Sequence, residues 1–113
     1  MTDFEKALEN IADNIKEYRG MKNLDGNRLN LILKELTGTL HYLEQFRSDV
    51  HNTFQISVKE FQGQGMSNAA AMNESHIKHP EMYQLRHIMN SAYEVVNAIR
   101  TNISWLKIEM QSV

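Results

Sequence analysis

An all-α fold is predicted, and three observations predict it. Apolar residues recur at alternating steps of three and four along most of the chain. One proline and five glycines are too little punctuation for a sheet protein, which needs frequent turns. Capping residues also stand where the periodic runs begin.

The first run opens with Thr2 and Glu5 at capping-box spacing, followed by Phe4, Leu8, Ile11, Ile15 and Tyr18 on one stripe. It predicts a short helix over about 3–19, with Gly20 at the left-handed position after it and MKNLDG as a connection. The second run carries Leu29, Leu33, Leu36, Leu40, Leu43, Val50, Phe54 and Phe61, which predicts a long helix over 27–62. Its length would be roughly 50 Å at the α-helical rise. The seam falters at Arg47 and Ser57, with Phe46 and Val58 one position away. Gly38, inside LTGTL, either admits a close backbone neighbour or weakens the helix.

FQGQGMSN interrupts the period, and Ser67 is placed to cap a short alanine-rich helix over 68–78. Pro80 ends that helix and can open the next, with Glu81 favoured at the positive end of a last helix over 81–111. This helix has the longest unbroken seam: Leu85, Met89, Ala92, Val96, Ile99, Ile103, Leu106 and Met110, widened by Ile88 and Val95. The expectation is a single domain over 1–113. In it the two long helices form an antiparallel hairpin, supplemented by the short N-terminal helix and the connector helix.

Composition excludes several function classes. The formal charge of −2 comes from residues 1–26, with six acids against four bases, while 27–62 and 63–113 each balance four against four. No clustered basic excess marks a nucleic-acid binder. With no cysteine there is no disulfide, thiolate nucleophile or cysteine metal site, and a reducing, cytoplasmic setting is expected. The opening MTDFEKALEN has no secretory pattern, and no apolar stretch approaches a membrane span.

No enzyme site is visible. His76 and His79, near Glu74 and Glu81, lack metal-ligand spacing, and Pro80 breaks the register that would aim them together. His41 and Glu44 share a helical face, but a surface hydrogen bond is the commoner meaning of that spacing, and no nucleophile stands near. GQG at 63–65 lacks the preceding strand of a nucleotide loop. No cofactor and no metal are expected.

The final helix is the place to look for contacts. A continuous seam facing a faltering one would leave apolar surface around Val95, Ile99 and Trp105 for a second copy, so a homo-oligomeric bundle is expected. Its interface residues would be Leu85, Met89, Val95, Ile99, Ile103, Trp105 and Leu106. The outer face, with His87, Asn90, Asn97, Arg100, Thr101 and Ser104, carries less charge than a solvated face usually does and is read as a partner surface.

The segment GQGMSNAAA, followed by PEMYQLRHIMNSAYEVVNAIRTNISWLKIEM, resembles short helical-hairpin accessory proteins of bacteriophages, some of the recombination-mediator (UvsY-like) type. That resemblance spans residues 29–110 and implies an oligomeric factor that loads a recombinase onto single-stranded DNA. In that reading Lys78, Arg86, Arg100 and Lys107 from several subunits would meet phosphates. The reading preferred from the residues is a non-enzymatic binding protein, phage-encoded, that inhibits a host defence or regulatory factor by protein contact. A third reading is a sponge that traps a small anionic molecule at subunit interfaces.

Overall fold

A computed structural model describes residues 2–111, with the side chains of 110 and 111 left out. It contains four helices: α1 (Asp3–Gly20), α2 (Gly26–Gly63), α3 (Asn68–Lys78) and α4 (Glu81–Gln111). The bounds lie within a residue of those the periodicity predicts.

Local chemistry sets the ends. Thr2 Oγ1 accepts from the Glu5 amide at 3.1 Å, opening α1. Gly20 is not the left-handed terminator expected of it: it is the last helical residue, and Met21 in extended conformation closes α1. α2 is capped by Asp25, whose carboxylate accepts from the amides of Asn27 and Arg28 at 3.0 and 3.3 Å. The far end of α2 is a Schellman motif. The Met66 amide donates to the Phe61 carbonyl at 3.2 Å and the Gly65 amide to the Gln62 carbonyl at 3.0 Å, with Gly65 at φ 94°. Met66 and Phe61 then pack on the same apolar cluster, the hydrophobic contact that accompanies this motif. Ser67 Oγ accepts from the Ala70 amide at 3.2 Å and starts α3, and the His79 amide closes it on the Ser75 carbonyl at 2.8 Å.

The chain packs as two compact units: residues 1–43 with 88–113, and residues 44–87. α2 and α4 each contribute to both.

In the first unit, α1 and the first half of α2 run antiparallel, because Asn10 bonds to Thr39, Asn14 to Glu35, and Glu17 to Arg28. Ile11, Ile15, Leu29, Ile32, Leu36, Leu40 and Leu43 are buried there, as are Met89, Ala92, Val95, Val96 and Ile99 of α4. Asn102 of α4 donates to the Tyr18 hydroxyl at 2.6 Å. Leu106 lies beside Gly26. Ile32 is fully buried and Leu33 only half-buried, so the stripe leans to one side of the predicted line. Met110, predicted to end the α4 seam, has its side chain outside the described residues.

In the second unit, Phe54, Val58 and Ala71 form a buried cluster, with Phe61, Met66 and Met82 packed against it. Ser57, where the predicted seam falters, is 2% exposed and accepts a 3.0 Å hydrogen bond from Ser75, itself fully buried. The seam is filled there by a satisfied polar pair. Arg47 is exposed and Phe46 half-buried, as the rotated stripe predicts.

Candidate contact face on α4

The outward face of α4 is defined by helical spacing from Asn90 through Glu94, Asn97, Thr101 and Ser104 to Ile108, with Trp105 and Tyr93 at its edges. Trp105 is 61% exposed and Ile108 51%. The Thr101 hydroxyl donates to the Asn97 carbonyl and the Ser104 hydroxyl to the Arg100 carbonyl, each at 3.0 Å. Both hydroxyls are therefore satisfied within the helix, and covering them would strand no donor. Glu94 is the only acid on this line.

The predicted interface set separates into two groups. Leu85, Met89, Val95 and Ile99 are buried by the chain itself, and Ile103 and Leu106 are half-buried. The apolar surface expected around Val95 and Ile99 is thus already covered. Trp105 alone of the seven stands well out of the core.

The predicted partner residues Asn90, Asn97, Arg100, Thr101 and Ser104 are exposed along α4. His87 is exposed too, its ring parallel to that of Tyr83 at 6.2 Å between centroids. Of the four cations assigned to phosphate contact, Lys78 and Arg86 belong to one unit and Arg100 and Lys107 to the other. The Lys78 ammonium sits 5.8 Å from the Phe61 ring centre.

The histidines have separate settings. His76 packs on Phe54 at 4.6 Å between ring centres, and the His79 Nδ1 lies 3.2 Å from Glu81 Oε1. Glu44, considered with His41, lies 3.6 Å from Arg47. Among the described residues, no three His, Asp or Glu side chains gather where they could hold a metal ion, and no helix is long and apolar enough to cross a membrane.

Two features escaped the sequence reading. One is the network in which buried Asn14 donates to Glu35 at 2.8 Å while Asn10 accepts from Thr39 at 2.8 Å. The other is the Ser57–Ser75 pair. Both had a signal: Asn14 follows Ile11 by three and Ser57 follows Phe54 by three, so each polar residue stands in register with an apolar stripe. Comparison of the chain with protein-family models, with curated proteins and with solved structures finds no match.

Proposed function

We propose that this chain is a non-enzymatic helical binding protein that acts by protein–protein contact, through the outward face of α4 around Trp105, and that it associates with itself. One observation carries the reading: the single tryptophan is 61% exposed on a face of low charge. A tryptophan exposes a large apolar area to water at a cost, and covered tryptophans are among the residues that dominate interface energies. The hydroxyls of Thr101 and Ser104, already bonded to their own helix, lower the cost of drying that face. The proposed setting is the cytoplasm of a phage-infected cell, and the proposed action is inhibition of a host defence or regulatory factor. The arrangement of α2 and α4 as a hairpin within an oligomeric bundle is part of the same proposal.

Trp105 is its own reporter. Its fluorescence should move to shorter wavelength and become resistant to a soluble quencher as protein concentration rises through the micromolar range, and again on addition of the partner. A spectrum that stays that of a solvated indole under both conditions would overturn the reading. Saturable binding of a single-stranded oligonucleotide, weakening steeply with salt, would instead favour the recombination-mediator alternative.

A further inference from the structure

Between α2 and the end of α3 lies an open recess of about 200 Å³, lined by Thr53, Ile56, Ser57, Glu60, Lys78 and His79. We propose that this recess binds a small zwitterion bearing one ammonium and one carboxylate, of the class of the aliphatic α-amino acids.

Helical spacing builds one wall. Thr53, Ile56, Ser57 and Glu60 stand at i, i+3, i+4 and i+7 on α2, so they share one face. Lys78, the last residue of α3, and His79, its C-cap, make the other wall. The recess is thus lined by one carboxylate and one ammonium, drawn from different helices. Among the described residues, neither of the two forms an ion pair, with the other or with a third group. The Lys78 ammonium lies instead 5.8 Å from the Phe61 ring centre.

Opposite charges that line one small space without meeting select a ligand that carries both. Its ammonium would meet Glu60 and its carboxylate Lys78, whereas a lone anion is repelled by Glu60 and a lone cation by Lys78. Ser57, 2% exposed, accepts from Ser75 and so keeps its own hydroxyl proton to donate, and Thr53 brings a second hydroxyl one turn before it. Both suit a carboxylate. Ile56, 58% exposed, offers apolar surface for the aliphatic part to cover. The volume falls below the roughly 300 Å³ at which drug-sized sites begin, so the occupant is small. Every lining residue belongs to residues 44–87, and the site does not depend on the face of α4 around Trp105.

The test is a heteronuclear NMR titration of the full-length, isotope-labelled chain with L-leucine. Its controls are L-leucinamide, which lacks the carboxylate, and 4-methylpentanoate, which lacks the ammonium. The expected result is saturable shifts around Thr53, Glu60 and Lys78 with L-leucine, and binding weaker by about fivefold for each control. Glu60→Gln should weaken L-leucine by a similar factor without weakening 4-methylpentanoate, and Lys78→Gln should weaken L-leucine while sparing L-leucinamide. Both side chains are exposed, so both variants should keep the helical circular dichroism of the parent. No saturable shift with L-leucine, equal affinity for L-leucine and either control, or variants that weaken all three compounds alike would overturn the proposal.

Discussion

Ser57 and Ser75 show how a polar pair can occupy a core position. Each hydroxyl is buried and each is satisfied by the other, so removing one strands its partner in an apolar setting. Ser57→Ala and Ser75→Ala should each cost about 1–3 kcal/mol. The double variant should cost clearly less than the sum of the two, because no orphaned group remains. Urea denaturation of all four proteins measures this, and additive effects would show that the pair does not act as a unit. Ile99 is the contrasting case: it is an apolar side chain with no accessible surface. Ile99→Asp should destabilise by at least about 3 kcal/mol, seen as a large fall in melting temperature.

At the scale of the element, two glycines of α2 and its end are expected to respond in opposite directions to the same substitution. Gly38 lies mid-helix, and a methyl group added there would meet nothing within 4 Å, so no close neighbour accounts for it. Gly38→Ala should therefore stabilise by about 0.5–1 kcal/mol through helix propensity alone. Gly65 also has open space around it, but it holds φ 94° in the Schellman motif that turns α2 toward α3. Gly65→Ala should cost roughly 1–2 kcal/mol, since an L-residue pays for the left-handed region. Thermal melts of the two variants that shift in the same direction would refute this assignment. α3 depends on its cap more than the longer helices do, having only 11 residues over which to recover the nucleation cost.

At the scale of the whole molecule, the proposed self-association through the outward tryptophan has a direct test. Light scattering at micromolar concentration should give at least twice the chain mass of 13.1 kDa, and Trp105→Ala should lower it without loss of helicity. Because Trp105 stands outside the core, its loss should change assembly and spare folding; a variant that melts early but stays assembled would put the contact elsewhere.

The sequence by itself determined the four helices and their bounds, because period, caps, glycines and the one proline are local properties written in consecutive residues. It also determined most of the inward stripe of α1, α2 and α4, with Leu29, Leu36 and Ile99 among its residues, though not the lean of α2 from Leu33 toward Ile32. What it left open was how far each inward stripe would be covered within the chain, because coverage depends on residues distant along it. Only the tertiary structure decided that Val95 and Ile99 are closed off while Trp105 is not, and that Asn14 and Ser57 count as core residues. The same holds for the groove beside Pro80. About 360 Å³ of open space there is lined by His76 of α3 and Tyr83 of α4, seven residues apart on two different helices.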